Sequence, residues 1–127
     1  MISKELLQQI VGLIVKEVVS TDINRIDNNI YYNIEGIDIL QSKNIYELSY
    51  LCREWARNNN YEVSACKPIV QDDEGKAVIN YWYKAYIHKF ELGTYSGPEQ
   101  ILKFDINCSS EPEAIFKACE WILTQIK

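Results

Sequence analysis

The chain has 127 residues, of which 47% are hydrophobic and 24% charged, the composition of one soluble globular domain long enough to bury a core without disulfide or metal staples. Thirteen Lys and Arg against eighteen Asp and Glu leave a net charge of −5, so no long-range field gathers polyanions and nucleic acid is disfavoured as a partner. The longest apolar run, residues 10–15, is far too short to cross a bilayer, and no leader pattern is present at the start, which predicts a cytoplasmic protein without a membrane partner.

Between Ser3 and Ser20, the residues Leu6, Leu7, Ile10, Val11, Ile14, Val15, Val18 and Val19 recur at helical spacing, with Gln8, Gln9, Lys16 and Glu17 mostly opposite. This predicts one amphipathic helix with an internal glycine. From Thr21 to Lys43, Asp and Asn alternate with Ile and Tyr, as in Ile30-Tyr31-Tyr32-Asn33-Ile34, and no period persists; short extended pieces and loops are expected. Asn44 followed by Glu47 has the spacing of a capping box, and the stripe Ile45, Leu48, Leu51, Cys52, Trp55 and Ala56 predicts a second helix running to about Asn58.

The triplet Asn58-Asn59-Asn60 suits a helix exit, and Tyr61 to Ala65 then alternates with a period of two, the mark of a strand that Pro68 interrupts. Asp72-Asp73-Glu74-Gly75-Lys76 is turn chemistry, and the aromatic, β-branched stretch from Ala77 to Leu92 reads as one long central strand paired with it in a hairpin. After a turn at Gly93 to Pro98, Leu102, Phe104, Ile106 and Cys108 face one side and Lys103, Asp105 and Asn107 the other, predicting a third, half-buried strand. Ser110 with Glu113 is a capping box, Pro112 sits in the first turn, and Ile115, Ala118, Cys119, Ile122 and Ile126 line one face of a closing helix. The order α, irregular, α, β, β, β, α, with no repeat or linker, predicts a single α+β domain. Its antiparallel sheet has three strands or slightly more with helices packed on it, residues 1–43 leading into an αβββα unit at 44–127.

The helix from Asn44 to Trp55, the strand containing Trp82, and the segment Ser110-Glu-Pro-Glu-Ala-Ile-Phe-Lys-Ala-Cys-Glu-Trp121 together resemble the phage ABA-sandwich domain, a family of small phage and prophage proteins. Pro112, Ala114, Ile115 and Ala118 match that family's closing helix, and the likeness spans residues 40 to 127. It implies a three-layer sandwich and a viral setting, and carries no catalytic residue. The order α-β-β-β-α is also similar to the double-stranded RNA-binding domain. That family grips phosphates with lysines at the start of its last helix, where this chain has Ser109-Ser110-Glu111-Pro112-Glu113, with Lys117 alone a turn later. Carboxylates there repel phosphate, so the likeness is one of topology, and an αβββα RNA-binding module is kept only as the alternative reading of function.

Alternation along the expected long strand places Ala77, Ile79, Tyr81, Tyr83, Ala85 and Ile87 on a core face. Asn80, Trp82, Lys84, Tyr86, His88 and Phe90 fall on the other, flanked by Ser64 and Cys66 on one side and Lys103, Asp105 and Asn107 on the other. Rings beside an ammonium and the chain's sole imidazole suit a planar, partly anionic ligand. The blander reading, which the general enrichment of Tyr and Trp in cores and interfaces favours, is that the N-terminal helix or a second copy of the chain packs on this face. Arg53 and Arg57, four apart on the second helix, are spaced to clasp one anion, or to form a solvated face with Glu47 and Glu54.

A Cys66–His88 nucleophile needs a hydrogen-bonded pair. Asp72, Asp73 and Glu74 lack the spacing of a calcium loop and read as a solvated hairpin tip. Cys52, Cys66, Cys108 and Cys119 contain no Cys-x-x-Cys pair, and the glycines form no phosphate-binding loop; free thiols are expected, with no metal and no cofactor. The residues thus predict a non-enzymatic binding protein, oligomeric because nine Tyr and three Trp leave aromatic surface to spare. Its expected ligand, in the viral setting that the resemblance implies, is a small signalling nucleotide of the host held by Trp82, Tyr86, Lys84, His88, Arg53 and Arg57, or else a host defence protein.

Overall fold

The computed structural model describes residues 2–19, 28–90 and 100–126, and of residues 100–105 the backbone alone. Helix α1 (Lys4–Val11) opens under a cap in which the Ser3 hydroxyl oxygen accepts from the Leu6 N–H at 3.1 Å, and it buries Leu6 and Leu7. It is shorter than its periodicity predicts. Gly12 takes the left-handed conformation at φ 70° and returns its N–H to the Gln8 carbonyl at 3.0 Å, closing the helix. The β-branched residues beyond it then form strand β1 (Val15–Val19), where branching at Cβ is better accommodated than in a helix.

The stretch that lacked a lasting period contains two strands, β2 (Asn29–Ile34) and β3 (Gln41–Asn44), which join β1 in an antiparallel sheet of order β1-β2-β3. Ile30, Tyr32 and Ile34 are buried on one face of β2, so the short alternation there is real. The pairing shifts between Val15 and Glu17, placing Lys16 at a bulge. The part of the expected irregular segment from Thr21 to Asp27 lies outside the described residues.

Helix α2 (Ile45–Asn58) begins as expected at Asn44, whose side-chain oxygen accepts from the Tyr46 N–H at 2.9 Å. Glu47 does not close a reciprocal box; it meets Lys43 at 3.5 Å. At the far end Asn60, with φ 68°, turns the chain directly into β4 (Tyr61–Cys66). Past Pro68 come two short strands, β5 (Ile69–Gln71) and β6 (Ala77–Ile79), and then β7 (Tyr83–Lys89) and β8 (Gln100–Cys108). The expected single strand from Ala77 is therefore two, broken over Asn80 to Trp82. The hairpin itself holds, since β4 and β7 pair antiparallel from Tyr61 opposite Lys89 to Cys66 opposite Lys84. Its distal part, β5 with β6, forms a separate two-stranded arm beyond that sheet, whose order is β4-β7-β8. The turn expected at Gly93 to Pro98 lies outside the described residues, as do the side chains of Leu102, Lys103, Phe104 and Asp105.

Helix α3 (Glu111–Ile126) carries the predicted cap in modified form. The Ser110 hydroxyl accepts from the Glu113 N–H at 3.3 Å, while the Glu113 carboxylate reaches back to Ser109, taking its N–H at 3.0 Å and its hydroxyl at 2.8 Å. These bonds hold the Glu113 carboxyl below the usual carboxylate range. Ile115, Ala118, Cys119 and Ile122 are buried as the spacing predicts, and Ile126 is exposed.

Helices α2 and α3 pack side by side on the face of the β4-β7-β8 sheet that presents Val63, Ala85 and Ile87. Helix α1 contacts β1 on one side and α2 and α3 on the other, tying the first sheet to the helical pair; the Ser3 N–H also donates to the Glu120 carboxylate of α3 at 2.7 Å. The architecture is mixed α+β, helices on antiparallel sheets, around one contiguous core. Leu6, Leu48, Ile87, Ile115 and Ile122 are fully buried in it, each such side chain contributing about 2 kcal/mol. No helix among the described residues is long and apolar enough to cross a membrane.

Candidate functional site

Strand β7 is central, and alternation sends Ala85 and Ile87 into the core and Lys84, Tyr86 and His88 to the opposite face. The register sets Cys66, Ser64 and Glu62 of β4 beside Lys84, Tyr86 and His88 respectively, and Lys103 of β8 beside Tyr86. Ser64 and Cys66 thus flank the face as the sequence suggests. Among the described residues no helix packs on it; α1, expected there as one of two covers, lies against β1, α2 and α3 instead.

Trp82 and Asn80 do not belong to this face as strand residues. Asn80, Tyr81 and Trp82 form the break between β6 and β7, where the Asn80 amide donates to the Trp82 carbonyl at 3.1 Å. The Tyr81 and Trp82 rings meet edge to face at 4.8 Å. The step of two from Tyr83 to Ala85 in β7 is matched by a step of four from Cys108 to Phe104 in β8, a bulge that sequence alternation cannot reveal. It turns Ile106 out to solvent, against the core role its spacing predicts, and brings Asn107 to accept a hydrogen bond from the Lys84 ammonium.

Arg53 and Arg57 do converge on one anion, and that anion is the protein's own. Arg57 donates to the Glu62 carboxylate from Nε at 3.0 Å and Nη2 at 3.1 Å, and to Glu54 from Nη1 at 2.8 Å. Arg53 stands 3.7 Å from the same Glu62 carboxylate. Hydrogen bonding from Arg57 holds the Glu62 carboxyl below its ordinary range despite partial burial, and the same bond pushes the Arg57 guanidinium up. The pair of arginines is therefore matched in charge before any ligand arrives.

His88 stands opposite Glu62, while Cys66 stands opposite Lys84. Four residues of strand separate those positions, roughly 13 Å at about 3.3 Å per residue, which rules out a Cys66–His88 nucleophile. Cys66 is exposed and Cys52, Cys108 and Cys119 are buried. The Cys119 thiol donates to the Cys52 carbonyl at 3.6 Å, and side-chain hydrogen bonding between the two thiols, with burial, pushes the Cys52 thiol up. Burial likewise raises Cys108. Asp72 spends one carboxylate oxygen on the Glu74 and Lys76 N–H groups of its turn, at 3.0 and 2.8 Å. No group of His, Cys, Asp and Glu among the described residues is arranged to hold a metal ion.

Two exposed apolar regions escape the sequence reading. At one end of the first sheet, the Glu35 N–H donates to the Ile14 carbonyl at 2.9 Å, joining the α1–β1 turn to the β2–β3 loop. Leu13, Ile14, Ile37, Ile39 and Leu40 are all exposed there, Ile39 by 73%, beside an open groove of 580 Å3 lined by Lys16 and residues 33–38. The cluster Ile37-Asp38-Ile39-Leu40 after Gly36 is the signal that was available. The other region is the β5–β6 arm, whose residues are exposed throughout. No protein-family model, curated protein or solved structure matches the chain.

Proposed function

We propose that the chain is a small, non-enzymatic binding protein of the phage or prophage kind that residues 40 to 127 resemble, acting in the host cytoplasm by docking a host protein as a counter-defence factor. The observation that carries this reading is the loop end of the first sheet, where Leu13 and Ile14 of one loop and Ile37, Ile39 and Leu40 of the other are exposed, and Ile37 lines a groove with Lys16, Glu35 and Asp38. Large aliphatic side chains gathered in two tethered loops favour a protein surface over a small polar ligand. Glu35 and Asp38 beside them oppose an anionic membrane or nucleic acid.

A second reading, capture of a signalling nucleotide, rests on the shared face of Lys84, Tyr86 and His88. In it Tyr86 stacks on the base and Lys84 meets the phosphate, while Arg53 and Arg57 must first leave Glu62. That exchange of one carboxylate for one phosphate returns little net energy, which ranks this reading below protein docking. The RNA-binding alternative meets Glu111 and Glu113 at the start of α3, and salt-dependent binding to duplex RNA is expected to be absent.

The test is retention of host-cell proteins on the immobilised chain and on an Ile37→Asp, Ile39→Asp double variant with an unchanged circular dichroism spectrum. A protein held by the wild type and lost by the variant supports docking at the loop end. Equal retention by both, or none by either, refutes it.

A further inference from the structure

The β5–β6 arm has two open strands and no described element packed over it. Ile69 and Ile79 form a cross-strand pair 74% and 71% exposed, and Val70 opposite Val78 is exposed on the other face. An isolated ribbon of this length is marginal in water, and natural edges usually carry charges that discourage pairing. The strands Ile69-Val70-Gln71 and Ala77-Val78-Ile79 carry none.

The hydrogen bonds of the arm fix which backbone groups face outward. The Asp72 N–H donates to the Lys76 carbonyl at 2.9 Å, and the Asn80 N–H to the Pro68 carbonyl at 2.7 Å. Residues 68, 70 and 72 therefore point their backbone polar groups at β6, and Ile69 and Gln71 point theirs away. Pro68, which has no N–H to give, sits at an inward position, so it removes nothing from the outer edge.

We propose that this outer edge of β5 pairs with the same edge of a second copy of the chain, antiparallel, about a two-fold axis at Val70. In that register Ile69 of each copy exchanges N–H and C=O groups with Gln71 of the other, using the groups that face outward. Lys67 of each copy, two residues before β5, then comes to the end of the contact where Asp73 opens the turn of the other, so that opposite charges meet at both ends. A parallel arrangement would bring the acidic tips Asp72-Asp73-Glu74 together and is opposed by charge. In the resulting four-stranded sheet, β6-β5 with its two-fold mate, Ile69 gains Gln71 of the other copy as a cross-strand neighbour on one face, and Val70 gains its own mate on the other. Asp73 is available for this role because Asp72 holds the turn.

Sedimentation equilibrium on the full chain tests the pairing. The wild type is expected to dimerise reversibly. Gln71→Pro removes an outward N–H while leaving the arm's own ladder intact, and is expected to be monomeric. Lys67→Asp and Asp73→Lys are each expected to weaken the dimer roughly tenfold, and the double exchange to restore it, because the two charges then meet with their roles reversed. Thermal melts of the monomeric core are expected to be unchanged, since no arm residue belongs to it. A wild type that stays monomeric, a dimer indifferent to Gln71→Pro, or a double exchange that fails to recover overturns the proposal.

Discussion

Arg57 of α2 grips Glu62 of β4 through two hydrogen bonds, at 3.0 and 3.1 Å, and so clips the end of the helix to the strand that follows it. The Glu62 carboxyl, held low by that guanidinium, contributes stability that is present above the unfolded carboxylate value of about 4.3 and lost as pH falls through its lowered folded value. Carboxyl-detected NMR titration is expected to place Glu62 below the ordinary range in the wild type and to move it up in Arg57→Ala. An unmoved Glu62 would mean that the contact does not persist in solution.

The four cysteines are expected to divide cleanly by burial. Cys66 is exposed while Cys52, Cys108 and Cys119 are buried, and Cys52 and Cys108 are further disarmed by raised thiol pKa. Under native conditions a thiol reagent should label Cys66 rapidly and the other three only on unfolding. Cys66→Ser should then abolish the fast phase.

Gly12 stops α1 with a left-handed φ of 70°, and a Cβ there would meet nothing within 4 Å. The cost of Gly12→Ala is therefore conformational alone, about 1–2 kcal/mol, read as a lower midpoint in urea with an unchanged slope. The same change at Leu48, which is fully buried, removes packing instead and is expected to cost about 2–5 kcal/mol.

Gly12 also marks the limit of what periodicity reveals. Apolar residues continue at helical spacing from Leu6 to Val19, yet the backbone turns at the glycine and the same valines serve a strand. The caps at Asn44 and Ser110, the core stripes of α2 and α3, and the pairing of β4 with the strand bearing Tyr86 were legible, because each rests on local chemistry or a sustained period. The break at Asn80 to Trp82 and the bulge opposite Lys84 were not, since both preserve alternation on paper while rotating side chains in space. For Arg53 and Arg57 the spacing left open a clasp on one anion or a solvated face with Glu47 and Glu54, and the structure holds elements of both, since Arg57 meets Glu54 as well as Glu62; that Glu62 takes part depends on how α2 crosses β4, which spacing along one helix does not encode.

The central claim, that the exposed aliphatic loop end docks a host protein, is tested most directly by native mass spectrometry of the chain purified from host cells, wild type beside Ile39→Asp. The account predicts a protein-sized increment on the wild type that Ile39→Asp removes. An increment in the nucleotide mass range that survives Ile39→Asp and disappears with Tyr86→Ala would contradict it and place the function on the open face of β7.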